Sequence, residues 1–470
     1  MANFSRAYGA WIAGALVLAS AAIGRAEPLS RREALRLALQ QNPQVAAARA
    51  REAGARARAQ QVDAARLPEV TWTLGAGPGL TAHLVPGSAV ESTENAYGDV
   101  GFDDISLVVG SQLNVVQPIY TFGKIGRRGD ATAHELKARR AQTRMTQAQL
   151  ALEVVAIYEG LWLAHDAKLF FEDVAFMLDG AITSLEERLA AGEPDIHERE
   201  LLQMQTARSF VTLQDARVRA AIAQAEAGLC AYLGLEAGTS IELPQGALEP
   251  IAARPSALLE LESSARAQRP ELAALREGEA ALHALADAEQ AGELPDFFAM
   301  LFASAAYTPG RDLVETRYVV DPQQHFVPGV LIGVRWRWQA GSASARASER
   351  RAEAGELGHT RAWAEQGIPA EVRQAFEEAE RAYADIATSD AGAKLAKRWV
   401  IMALADNAIG AADSRAIVDS VEGYVAMRFG WMEAKYRYNV WMAKLAAATG
   451  SLDRLDGPLY PGMAVKGAER

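Results

Sequence analysis

The sequence predicts a mainly α-helical protein with a membrane β-barrel part, built as two tandem repeats of helix, strand, strand, long helix, long helix. Three observations predict it. Prolines and glycines recur at matched spacings in the two halves; long helical stretches follow two of those glycines; and short runs alternate strictly between apolar and other residues.

The repeat is read from its punctuation. "NPQVAAAR" at 42–49 resembles "RPELAALR" at 269–276, and 25 positions separate Pro43 from Pro68 and Pro270 from Pro295 alike. Gly123 to Gly192 and Gly341 to Gly410 both span 69 positions. Between proline and glycine the halves differ by nine residues, 55 against 46, and the polar segment "PGSAVESTENAYGD" at 86–99 is the natural place for a longer loop. Each opening helix, roughly 30–66 and 256–293, ends at a Leu-Pro stop. Strand pairs follow near 69–83 with 102–120, and 296–308 with 326–339.

The long hairpins come next, over about 124–233 and 342–450. A helix of nearly 70 residues would measure roughly 100 Å, a length that survives by packing side by side with others. Pro369 should kink or restart the second such helix, because it removes a donor and crowds the preceding turn. Residues 27–234 thus form the first repeat, 235–255 a linker, 256–450 the second repeat and 451–470 a tail.

Ahead of them, residues 1–26 read as a secretory leader. Arg6 is a basic start, Trp11 to Ile23 an apolar run too short to cross a bilayer, and Gly24-Arg25-Ala26 a small-residue cleavage site. That places the mature chain beyond the inner membrane. No helix-length apolar run follows, so membrane insertion would have to be through a β-barrel.

"PGVLIGVRWRWQ" at 328–339 carries the barrel reading. Val330, Ile332, Val334, Trp336 and Trp338 fall on one face, and Leu331, Gly333, Arg335 and Arg337 on the other. A barrel turns the first face to lipid, sets tryptophans at the interface and keeps Arg335 and Arg337 in the aqueous lumen. Four strands cannot close a barrel alone, so the barrel must be shared among subunits. The first repeat offers a matching joint, "NVVQPIYTFGKI" at 114–125. There Gln117-Pro118 ends regular pairing, Tyr120 and Phe122 sit at the interface and Gly123 permits the turn into a helix; Gly341 takes that place in the second repeat.

Other chemistries find little support. The net charge of -11 argues against nonspecific nucleic-acid binding. The single cysteine, Cys230, reads as a packed thiol. The seven histidines lack metal-ligand spacing, and "GAGPGL" at 75–80 lacks the last glycine of a dinucleotide loop. There is no nucleophile elbow or P-loop, so neither enzyme activity, cofactor nor metal is expected, and energy for any transport must come from a partner.

The leader, the "QPIYTFGK" junction, the duplicated order of elements and "YRYNVWMAKLAAATG" at 436–450 resemble the TolC-like outer membrane efflux proteins over about residues 29–450. The resemblance implies a homotrimer whose twelve-stranded barrel continues into a periplasmic helical tunnel. Such a chain would be the exit duct of a tripartite efflux pump or type I secretion system, with a periplasmic adaptor and an inner-membrane RND, ABC or MFS transporter as partners. It implies adaptor contacts at the hairpin tips, where Gly192, Asp195 and Gly410 lie, and an entrance narrowed near Asp406, Asp413 and Arg415. Those polar residues read equally well as helix caps or exposed charge. The first tip departs from the family pattern in Pro194 and its extra charge. The competing reading is a secreted soluble coiled-coil scaffold or periplasmic adaptor, which would gain nothing from the apolar face at 330–338.

Overall fold

A computed structural model describes residues 28–85, 97, 103, 105–193, 197–251, 254–314, 320–409, 411 and 413–451. The leader, Pro194, Asp195, Gly410, most of the 86–99 segment and the tail past Ser451 lie outside the described residues.

Each repeat opens with two helices where the sequence suggested one. α1 (Arg31–Gln41) starts at Ser30, whose hydroxyl accepts the Glu33 N–H at 3.2 Å. It ends at Asn42, because the residue before a proline is pushed out of the helical region. α2 (Pro43–Ala64) restarts at once with Pro43 in the first position, where no donor is needed, and Asn42 Oδ1 accepts the Gln44 N–H at 2.8 Å.

β1 (Glu69–Leu80) and β2 (Ile105–Tyr120) follow, then α3 (Lys124–Ala190) and α4 (Glu198–Leu233). The second repeat gives α5 (Leu258–Gln268), α6 (Pro270–Gln290), the short 3-10 turn Ala291–Glu293, β3 (Asp296–Tyr307), β4 (His325–Arg335), α7 (Ser342–Ala408) and α8 (Ser414–Ala448). Arg269-Pro270 repeats the break of Asn42-Pro43. α3 and α7 are both 67 residues long, so the duplication is kept to the residue. Of the kink or restart expected at Pro369, the restart does not occur: α7 runs through it as one helix. One missing backbone bond, at a cost of about 3 kcal/mol, is tolerable where Ile368 and Val372 on either side are fully buried.

The chain divides into two compact units, one drawn from Met1–Arg49, Thr143–Pro270 and Ala364–Arg470, the other from Ala50–Gln142 and Glu271–Trp363. In the first, Phe170, Phe171, Val174, Leu178 and Leu185 of α3 pack with Met204 and Val211 of α4, Val400 of α7, and Ile417, Val421 and Tyr424 of α8. Phe170 meets Tyr424 edge-on at 5.3 Å.

This unit also buries a polar knot around Asn439. Its amide donates to Glu159 at 2.6 Å and to the Glu249 carbonyl at 3.0 Å, and its oxygen accepts the Ile251 N–H at 2.9 Å. Arg31 pairs with Glu159, and Lys435 donates to the Leu248 carbonyl while lying 3.7 Å over the Trp431 ring. The linker after α4 is thereby tied to α3 and α8. Burial pushes the Glu159 carboxyl up and the Lys435 amine down from their ordinary values, although Arg31 and Asp166 act in the opposite sense on them.

The second unit holds a four-stranded antiparallel sheet in the order β1-β2-β3-β4. The two hairpins join through β2 and β3, so the first and last strands are the edges. No described helix is long and apolar enough to cross a membrane.

Candidate functional site

The sheet register sorts side chains onto two faces, because opposed residues of an antiparallel pair point the same way. One face carries Val70, Trp72, Leu74, Leu107, Val109, Leu113, Val115, Leu301, Tyr307, Phe326, Val330, Ile332 and Val334. Most of these are strongly exposed: Trp72 at 71%, Val330 at 76% and Ile332 at 77%. The Trp72 indole N–H donates to Ser111 Oγ at 3.0 Å, which removes an unpaired donor from that face.

The opposite face is mostly polar or bare on the first hairpin, with Thr71, Thr73, Gly75, Gly77, Gly110, Gln112 and Asn114 beside Val108 and Val116. On the second, Ser304, His325 and Arg335 share it with Phe298, Met300, Phe302, Val327 and Leu331. Its bulky residues lie on the second hairpin, where Phe302 stands over Gly329 and Phe298 over Gly333. A Cβ added at those glycines would sit 2.2 and 2.6 Å from the rings. Arg335 then lies 5.1 Å over Phe298.

β4 ends at Arg335, four residues before the alternating run does. Trp336, Arg337 and Trp338 therefore lie beyond the ladder, with Trp336 and Trp338 exposed at 65% and 73%. The Trp336 indole is fixed instead by the Glu293 carbonyl at 2.9 Å. Pairing at the first joint also differs from the expectation. β1 releases β2 at Val116, whereas β3 holds it through Gln117 and Pro118 to Tyr120, with a register shift between Pro118 and Tyr120. Pro118 is compatible with a strand here because its missing donor falls where β1 no longer pairs.

The turn out of β2 uses two left-handed residues, Phe122 (φ 51°) and Gly123 (φ 81°). Phe122 is the one described non-glycine residue with positive φ, a conformation that costs about 1–2 kcal/mol. Its ring compensates by meeting Tyr120 at 4.7 Å and Phe297 at 6.3 Å. Gly341 (φ 75°) makes the equivalent turn into α7.

At the helical tips, Gly192 (φ 73°) ends α3 with its N–H on the Leu189 carbonyl and the Glu193 N–H on the Arg188 carbonyl. Asp413 caps α8 by accepting the Ala416 N–H at 3.2 Å. Arg415 is exposed, 3.9 Å from Asp419 one turn on. Asp406 is exposed on the last turn of α7, its carbonyl accepting the Ala411 N–H at 2.7 Å.

Two ties here were missed in the sequence. Arg188 Nη1 donates to the Asn407 carbonyl at 2.9 Å while its Nε pairs with Glu193, and Ser414 donates to the buried Glu200 at 3.2 Å. A basic residue in the last turn of α3 was the available signal for the first.

The far end of the sheet holds a second knot that the sequence did not reveal. Asp321 is buried against Arg311 at 2.5 Å, and the Tyr97 hydroxyl oxygen lies 2.7 Å from both Asp321 Oδ2 and the Asp312 carbonyl, between which its one proton is shared. Arg311 lies 4.3 Å over the Tyr97 ring and also donates to the Leu80 carbonyl at 2.9 Å. Burial, and then the Asp321 carboxylate, push the Tyr97 phenol up to about 12. Burial would raise Asp321 too, but Arg311, the Gln323 N–H and Tyr97 hold it below its ordinary value.

An antiparallel sheet with one exposed apolar face is thus joined by tight turns to two very long helices. The fold is shared with solved outer-membrane channels. OprN, an outer-membrane channel, superposes with a TM-score of 0.70 at 18% identity, covering 90% of both chains. The outer membrane protein VceC of Vibrio cholerae gives 0.71 at 16% identity, covering 89% of this chain and 96% of its own. CusC, for which conformational changes accompany folding and transmembrane channel formation, gives 0.70 at 16% identity, covering 89% of this chain and 92% of its own. Residues 34–235 match the family model described as outer membrane efflux protein. No curated protein sequence matches significantly.

Proposed function

We propose that the chain is one protomer of a homotrimeric outer-membrane duct, the passive exit of a tripartite efflux pump or type I secretion system. The observation that carries this reading is the continuous exposed apolar face across all four strands, opposite a face that is mostly polar or bare on the first hairpin. The two edge strands of the sheet pair with no further strand among the described residues. Hydrocarbon forbids open edges, so β1 and β4 must pair with neighbouring copies, and three copies give twelve strands. The face opposite the apolar one then lines the lumen. A water-filled lumen does little selecting, and an inner-membrane RND, ABC or MFS transporter with a periplasmic adaptor supplies energy and chooses cargo. Gly192 and the neighbouring tips are the adaptor contacts in this reading, and Asp406 narrows the entrance. A soluble scaffold has no use for the sheet's apolar face.

Fractionation with chemical crosslinking tests it. A detergent-requiring trimer in the outer membrane that conducts ions in planar bilayers is expected; a soluble monomer would overturn the proposal. In the same bilayers Asp406→Ala should raise single-channel conductance, and unchanged conductance and ion selectivity would remove Asp406 from the entrance.

A further inference from the structure

At the two strand-to-helix joints lies a polar cavity of about 360 Å³, lined by Lys124 and Arg128 of α3, Arg335 and Arg337, and Ser342 and Arg346 of α7. Three carboxylates also reach it, Glu289, Glu293 and Asp296. Two of these are taken: Lys124 pairs with Asp296 at 2.8 Å, and Arg346 with Glu289 at 2.8 Å. Among the described residues Arg128, Arg335 and Arg337 have no carboxylate partner, so the cavity keeps an excess of positive charge beyond Glu293.

The positive ends of α3 and α7 add to that excess. Four of the eight described α-helices place an acid in the first turn, as α1, α4, α5 and α6 do with Glu33, Glu198, Glu260 and Glu271. α3 and α7 have none there, and begin instead with Lys124, Arg127 and Arg128, and with Arg346. Cations at a helix start are unfavourable unless something negative sits among them. The sequence thus spends helix stability to hold guanidinium groups around one polar space, and such groups recognise planar or tetrahedral oxyanions through paired N–H donors.

We propose that this cavity is an oxyanion-binding site, taking the phosphate, sulfate or carboxylate group of a solute or lipid at the base of the barrel. The placement in the lumen rests on the duct reading, since Arg335 belongs to the polar face of the sheet. Bound there, anionic solutes would be concentrated just below the barrel and would slow the flow of simple ions.

Inorganic pyrophosphate is the probe. Added to one chamber of a planar bilayer holding the native trimer, it should reduce the KCl current at submillimolar concentration. The Arg335→Gln/Arg337→Gln double variant, and Arg128→Gln separately, should need about ten-fold more. All three arginines are exposed, so the substitutions remove no buried packing, and crosslinked trimer yield checks that the variants fold. If adding anionic phospholipid to a zwitterionic bilayer removes the pyrophosphate effect on the native protein, the natural occupant is a lipid headgroup; if the effect persists, it is a solute in transit. Equal inhibition of native and variant channels, or none of either, would overturn the site. Should the protein carry no current, the duct reading fails instead, and calorimetric titration of the detergent-solubilised protein with pyrophosphate still reports the site.

Discussion

Tyr97 shows how far one residue can be displaced from its ordinary chemistry. Its phenol ordinarily titrates near 10 and is raised to about 12 by burial and by Asp321. The folded protein therefore keeps the Tyr97 proton over a range in which the unfolded chain has lost it. Its contribution to stability is complete below about pH 10 and is lost as pH rises from there towards about 12. A difference titration of phenolate absorbance between the native protein and Tyr97→Phe should find one tyrosine ionising near 12, and Asp321→Asn should bring it down.

Asn439 gives a second test at the same scale. Asn439→Ala leaves the buried Ile251 N–H without its acceptor and Glu159 with Arg31 alone, and denaturant unfolding should show a loss of about 2–4 kcal/mol. Such pairings were not legible beforehand. The sequence shows Asn439 inside "YRYNVWMAKLAAATG", but its partners are 280 and 188 positions away, and neither periodicity nor spacing links them.

At the scale of the element, legibility was better, because alternation and helix punctuation are local signals. Glycine and proline spacing located both 67-residue helices, and the alternation at 330–334 put the exposed apolar face on the correct side of β4. What local signals could not show was where pairing stops. Trp336 and Trp338 continue the rhythm of β4 after its hydrogen-bonded ladder has ended, because β3 begins at Asp296, opposite Arg335. Likewise Phe122, not only Gly123, takes a left-handed conformation, since rings from Tyr120 and Phe297 hold it there.

Adjacent residues of β4 make the decisive comparison. Ile332→Arg places a charge on the apolar face and should abolish heat-modifiable trimers, at a cost of about 2–4 kcal/mol per chain near the bilayer centre. Leu331→Arg, one position away on the polar face, should leave trimer yield nearly unchanged. Equal defects in both would contradict the assignment of faces.

For the whole molecule, duplication explains the economy of the design and also its asymmetry. The first hairpin gives the polar face Thr71, Thr73, Gly75 and Gly77, whereas the second gives Phe298, Met300, Phe302 and Leu331. Two copies of one ancestral plan have thus diverged into a bare sector and a padded one. In a ring of three chains those sectors would alternate six times around the duct.

The join between β2 and β3 has a consequence in time. Each hairpin pairs neighbours in sequence, but Val109 meets Tyr307, nearly two hundred positions later. In the proposed outer-membrane duct, exported from its N-terminus, the first hairpin would travel and wait, its apolar side chains without their partner strand, until the second repeat has followed it. Long-range strand pairing is slow and leaves sticky surfaces open meanwhile. The chain's vulnerability is therefore greatest between the emergence of its first half and the arrival of its second, and a pulse-chase with a slowed exporter should show misassembly accumulating in that interval.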